Sequence, residues 1–252
     1  IWILLFKSLT NKEKLFVNLV IAGALFLTLL PLIAGLAHRP EGFFYTGTGF
    51  VGGADKMVYF SQIEEVRQGN FLIHNLYTSE PQTARLFSPV WLIVGLLAKI
   101  SNLPTILAFH LSRLASGFVF LWLAYLFLSS IFKSIKWRKL SFVLVCFSSG
   151  LGFLFFGRLA NTDQNYLYEH LSTDLWITEG NTFLTLMHSP LFILAQIFIL
   201  IIFWWALFRL SGAGWMEILG IGLLTALLGI FHPYDLFIIF QVLGVWYLLK
   251  CL

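Results

Sequence analysis

Residues 15–37 read LFVNLVIAGALFLTLLPLIAGLA, an unbroken run without a charged side chain. A helix needs about 20 apolar residues to cross the hydrocarbon core of a bilayer. In lipid such a run must be helical, because every backbone amide and carbonyl needs a partner inside the segment. The run is also longer than the roughly 7–15 apolar positions of a signal peptide. Lys7, Lys12 and Lys14 precede it and place its start on the cytoplasmic side. The whole chain shares this character. Hydrophobic residues make up 59% and charged residues 11% of its 252 positions, and mean hydropathy is +0.86. A soluble domain carries about 25% charged residues. The expectation is an all-α, polytopic transmembrane helical bundle.

Working outward from 15–37, the next strong span is 105–132. It ends at Lys133, Lys136, Arg138 and Lys139, the densest basic cluster, which reads as cytoplasmic. The segment 38–104 is then a first outer loop. Inside it, residues 86–100 are apolar but short. If they crossed, the basic cluster would move outside, so they read as a juxtamembrane or re-entrant helix on the outer side, begun by Ser88-Pro89. Residues 140–157 return outward, and 158–189 form a second outer loop. Spans 190–210, 215–231 and 234–250 complete about six crossings, with Arg209 at a cytoplasmic end. The chain reads as one transmembrane domain over 1–252, the N-terminal part of a longer protein. Cys146 and Cys251 lie in separate apolar runs and form no disulfide or metal motif. The net charge of +4 resides in short loops beside spans, so nucleic acid is not an expected partner.

This threading sorts the titratable groups. Ten of the twelve carboxylates and all six histidines fall on the outer side, leaving Glu13 and Glu217 on the other. Acid–base chemistry at one membrane surface would use such a distribution. In the first outer loop, the stretch between Gly52-Gly53 and Gly69 reads as a helix bounded by glycines. Asp55, Tyr59 and Gln62 then stand along one stripe. A carboxylate at that helix start is stabilised as an anion by the macrodipole. Two readings of Asp55 stay open here, a general base and a helix cap. Tyr59 reads as interfacial packing or as a substrate contact.

An acidic residue soon after the first span, a Tyr four positions on and a Gly ten further resemble the first outer loop of GT-C type glycosyltransferases. That group includes the lipid A aminoarabinose transferase and the protein O-mannosyltransferases. The later order, with a Pro-started juxtamembrane helix, a span ending in a basic loop and a second acidic outer loop, is similar to theirs as well. The resemblance implies transfer of a sugar from a polyprenyl-phosphate-linked donor to a lipid, glycan or protein acceptor, with Asp55 as the base. Two positions depart from the pattern. Lys56 stands where Glu is common, and Ser88 stands where Lys or His is common. Arg85 is then the candidate phosphate cation. The resemblance also places a basic residue at the outer turn after the fifth span, where His232 stands.

The remaining candidates come from the second loop and the outer turns. Asp163 lies nearest the end of a span and is the preferred second acidic residue. His188 stands at the mouth of the 190–210 span, and His232 and Asp235 flank Pro233. Ionisable groups at membrane depth are costly to bury and so point to function. A histidine bonded to a backbone carbonyl is the alternative. Arg113 with His110 either reaches the same pool or snorkels to the surface. His170 and Asp174 stand at i, i+4, but the ligand set is too sparse to assign a metal site, and a divalent metal is the one cofactor left open.

The expected chemistry follows from the bond to be broken. The lipid phosphate is already a good leaving group, and cations such as Arg85 or His232 would stabilise its growing charge. The acceptor hydroxyl needs a base, Asp55, in line with the anomeric carbon. One base and direct displacement invert that centre. The chain lacks a Gly-rich loop followed by Lys-Ser/Thr, which argues against a nucleotide donor. The expected setting is a bacterial or archaeal plasma membrane, with the active site on its non-cytoplasmic face and membrane lipids as further partners. Two other classes compete: a polytopic transporter, and a non-catalytic lipid-binding or scaffold protein.

Overall fold

The computed structural model describes residues 2–48, 53–152, 154 and 173–251. The helices run in the order α1 (Trp2–Ser8), α2 (Asn11–Ala37), α3 (Gly53–Gln68), α4 (Pro89–Ser101), α5 (Thr105–Ile131), α6 (Ile135–Phe147), α7 (Thr173–Trp176), α8 (Thr182–His188), α9 (Pro190–Phe208), α10 (Trp215–Phe231) and α11 (Tyr234–Cys251). Among the described residues the one β pairing is a single bridge, Ile73–Leu86. The fold is all-α. Four helices, α2, α5, α9 and α11, are long and apolar enough to cross a membrane.

Local chemistry sets the helix starts. Thr10 caps α2 reciprocally. Its hydroxyl accepts from the Glu13 amide at 3.2 Å, while the Glu13 carboxylate accepts from the Thr10 amide at 3.2 Å. Ser88 and Ser189 each precede a Pro at the first helical position of α4 and α9. The expected juxtamembrane helix at 86–100 is α4, and the expected loop helix between glycines is α3.

The 215–231 run is helical over its expected bounds as α10, one turn or less shorter than α9 and α11. One of the six expected crossings differs from the reading of the sequence. The 140–157 run does not stay helical. Its helix, α6, starts at Ile135 inside the basic cluster and stops at Phe147, where Ser148 turns extended. The run Ser148-Ser149-Gly150 offers poor helix formers. The turn is held from outside, since the Gly152 amide donates to Asp174 Oδ2 at 2.8 Å.

The helices meet at two polar ends with apolar packing between. At one end, Glu13 accepts from the Tyr125 hydroxyl at 2.9 Å and from Arg138 at 3.4 Å, and Arg209 pairs with Glu217 at 2.7 Å. At the other end, the start of α5 is tied to α3, because Thr105 donates to Glu64 at 2.6 Å. The apolar middle joins α2, α5, α6 and α9 through Val17, Ile21, Leu121, Phe142 and Ile193. A second core joins α3, α4 and α5 through Ile63, Val94, Ala98 and Phe109. Gly95 sets the approach of α4 to α3. A methyl group there would lie 2.5 Å from Val66 Cβ and 2.9 Å from the Ile63 carbonyl.

Candidate functional site

Arg113 lies two turns inside α5, about 12 Å along the axis from Thr105, and is only 1% exposed. Three hydrogen bonds hold it. Nη1 donates to Thr28 Oγ1 on α2 at 3.0 Å and to the Leu186 carbonyl on α8 at 2.6 Å. Nε donates to His110 Nδ1 at 3.3 Å. The other ring nitrogen of His110 lies 3.0 Å from the Gly47 carbonyl. One tautomer satisfies both bonds: a neutral imidazole with its proton on Nε2, because arginine can only donate. Gly47 adopts a φ of +73°, and a Cβ there would lie 2.7 Å from Ile106 Cγ2, so glycine alone fits. Among the described residues, Nη2 of Arg113 has no hydrogen-bond partner.

Beside this guanidinium is a cavity of about 110 Å³, lined from α2, the 45–48 loop, α3, α5 and α8. One water needs about 10–15 Å³ of such space, so a tetrahedral oxyanion fits. The nitrogen-bearing side chains that line the cavity are Lys56, His110, Arg113 and His188. Lys56 is buried, and its ammonium donates to the Thr48 carbonyl. Burial first, and the Arg113 charge second, pull this ammonium down to about 8, with the Asp55 carboxylate opposing them. His188 is 3% exposed, and among the described residues its Nδ1 has no hydrogen-bond partner. Burial, then the Lys56 charge, push its imidazole down to about 3, so it is neutral at ordinary pH.

A row of rings leads from this cavity across the same end of the bundle. Tyr59 stacks on Trp91 at 4.6 Å between ring centres and meets His188 edge-on at 6.5 Å. Phe192 packs edge-on against His188 at 5.0 Å and His232 at 5.1 Å. His232 Nδ1 lies 2.9 Å from Asp235 Oδ2, and its Nε2 lies 3.7 Å from Glu179 Oε1. Both His232 and Asp235 are buried. Burial, then the carboxylates of Asp55 and Glu179, push the Tyr59 hydroxyl well above its ordinary range. It is therefore a neutral hydrogen-bonding group.

Four of the residues singled out from sequence, Tyr59, His188, His232 and Asp235, are brought together in this row. Asp55 stands at its rim. It is exposed, close enough to act electrostatically on both Lys56 and Tyr59. Its place is inside the first turn of α3, which begins at Gly53, rather than at a cap position. Arg85 is not brought to this cluster. It is exposed in the loop closed by the Ile73–Leu86 bridge, where its Nε donates to Thr83 at 3.0 Å. Asp163 lies outside the described residues, as does His170. Among the described residues, no three His, Cys, Asp or Glu side chains gather as metal ligands.

Sequence reasoning missed Lys56 and Glu179. Lys56 stood out only as a departure from a motif, although a lysine one residue after Asp55 necessarily points to a different side of the helix. Glu179 has no local signal, since its partner His232 is far along the chain. Arg113 and His110 carried the usable signal, two basic groups on one face of an apolar helix. Comparison of the chain with family models, curated proteins and solved structures finds no match.

Proposed function

We propose that this chain is an integral-membrane glycosyltransferase of the GT-C type. It would move a sugar from a polyprenyl-phosphate-linked donor to the hydroxyl of a lipid, glycan or protein acceptor at the non-cytoplasmic face. The observation that carries this reading is a cavity lined by Lys56, Arg113 and His188, with the exposed Asp55 carboxylate next to Lys56 on the same helix. The cavity would seat the donor phosphate. Arg113 Nη2 and Lys56 supply the charge, and His188 Nδ1 completes the polar contacts. The acceptor oxygen attacks the anomeric carbon as its proton passes to Asp55. The bond from that carbon to the phosphate oxygen breaks, and its electron pair leaves on the lipid phosphate, whose charge the two cations stabilise. One displacement inverts the centre.

The setting suits a donor presented from lipid. Phe43, Phe44, Phe71 and Tyr77 are exposed in the first large loop at this same end, where apolar and amphipathic rings favour the membrane interface. The test uses the full chain in vesicles containing a radiolabelled polyprenyl-phosphate sugar. Wild type is expected to release polyprenyl phosphate, Asp55→Asn to bind donor without releasing it, and Lys56→Gln to bind donor more weakly. Release by Asp55→Asn at the wild-type rate would remove the base assignment. Failure of wild type to bind any such donor would overturn the reading.

A further inference from the structure

The opposite end of the bundle carries a different pattern, which the proposed transfer reaction does not use. Both of its carboxylates are occupied. Glu13 is 3% exposed and is held by Thr10, Tyr125 and Arg138. Glu217 is held by Arg209 at 2.7 Å. The Glu13–Arg138 contact also draws the start of α2 against the start of α6. Lys12 therefore flanks the seam on one side, and Lys136 and Lys139 flank it on the other. Lys139 lies over the Phe16 ring at 4.6 Å, which confirms that the two helix starts are neighbours. Lys12, Lys133 and Lys136 are exposed and form no ion pair among the described residues. Within the same turn and helix start, Ile135, Trp137 and Leu140 are exposed, Trp137 by 59%.

A soluble anion would require the lysines alone. A lipid headgroup explains the mixture of lysine with exposed indole and aliphatic groups, because the indole sits at headgroup depth and the aliphatic groups meet acyl chains. The charge selects among lipids. A zwitterionic headgroup brings its own ammonium toward the lysines, whereas an anionic one does not. We infer that the seam between α2 and the α5–α6 turn, flanked by Lys12, Lys133 and Lys136, is a binding surface for anionic phospholipid headgroups. It lies at the end remote from the cavity, so it is independent of the transfer reaction.

The experiment reconstitutes the full chain in vesicles of equal parts phosphatidylglycerol and phosphatidylcholine. The protein is extracted in mild detergent, and the retained lipids are identified by mass spectrometry. Wild type is expected to retain phosphatidylglycerol preferentially, with the preference falling as salt is raised. Each of Lys133→Gln and Lys136→Gln is expected to reduce the preference roughly fivefold. Lys99→Gln, at the other end, serves as a control for nonspecific loss of charge and is expected to leave the preference intact. Equal retention of the two lipids by wild type would overturn the inference. So would a Lys133→Gln/Lys136→Gln double variant with the wild-type preference, or an equal loss in Lys99→Gln.

Discussion

Asp55 and Lys56 are neighbours in the chain with opposite environments. The carboxylate meets solvent, while the ammonium is buried and its pKa is drawn down from 10.5 to about 8. The sign of the stability effect follows. Below pH 8 the folded protein carries a buried charge that the unfolded chain carries in water. Between pH 8 and 10.5 the folded state binds fewer protons than the unfolded one, so stability rises with pH there. The cost at neutral pH is about 3 kcal/mol, taking about 1.4 kcal/mol per unit. Lys56→Met is therefore expected to melt higher than wild type at pH 7, with the gap closing by pH 10.5. The same variant is expected to lose donor binding. Thermal unfolding in detergent across this pH range, run beside a donor-binding assay, checks both halves. A variant less stable than wild type at pH 7 would show that Lys56 is needed for folding rather than held at a cost for binding. His188 gives a companion expectation. Its Nδ1 is buried without a hydrogen-bond partner among the described residues, so His188→Phe should cost little stability, within about 1 kcal/mol, yet weaken donor binding.

At the scale of elements, α3 and α4 form a unit that docks on the start of α5. Gly95 permits the close crossing, and Val66 and Ile63 fill the space a side chain would take. Gly95→Ala forces the helices apart and is expected to cost about 1–3 kcal/mol, as overpacking does. Adding Val66→Ala should recover only part of that loss, since it removes Cγ1 but leaves the Val66 Cβ at 2.5 Å and the Ile63 carbonyl at 2.9 Å. Melting temperatures of the two single variants and the double variant measure the coupling, and strict additivity would mean the crossing does not depend on this contact. Glu64 ties the same unit down. Its bond from Arg67, with that from Thr105, holds the carboxyl down to about 2. A depressed carboxylate stabilises the fold above its unfolded value of 4.5, and that contribution is lost as pH falls toward 2. The melting difference between wild type and Glu64→Gln should therefore be largest above pH 5 and shrink steadily toward pH 2.

At the scale of the whole molecule, the two ends divide the labour. One gathers the cavity, Asp55 and the His232–Asp235 pair. The other gathers exposed lysines around two neutralised carboxylates. If the bundle crosses a membrane as threaded, Asn75 and Ser134 lie on opposite sides. With Cys251, the exposed native thiol, replaced by serine, Asn75→Cys and Ser134→Cys are expected to react with an impermeant maleimide from opposite faces. Labelling of both from one side would mean that α5 does not cross, or that α4 crosses with it, and the assignment of the cavity to one surface would fall with it.

Much of this architecture is written in short-range chemistry. Unbroken apolar runs require helices in lipid, and the pairs Ser88-Pro89 and Ser189-Pro190 mark where two of them begin. The alternation of basic turns leads to the expectation of ten carboxylates on one side, and four of the residues singled out with them, Tyr59, His188, His232 and Asp235, lie along one row of rings. The stop of α6 at Phe147 is marked locally by Ser148-Ser149-Gly150, but the bond from the Gly152 amide to Asp174 was not legible, because Asp174 comes from a distant segment. The cavity was not legible for the same reason. Lys56 comes from a loop helix, Arg113 from a long apolar helix and His188 from the last residue of α8, and Arg85, in its own small loop, drops out. Helix starts depend on atoms within four residues of each other. Burial of a charge depends on which surfaces close over it, and only the packed chain brings those together.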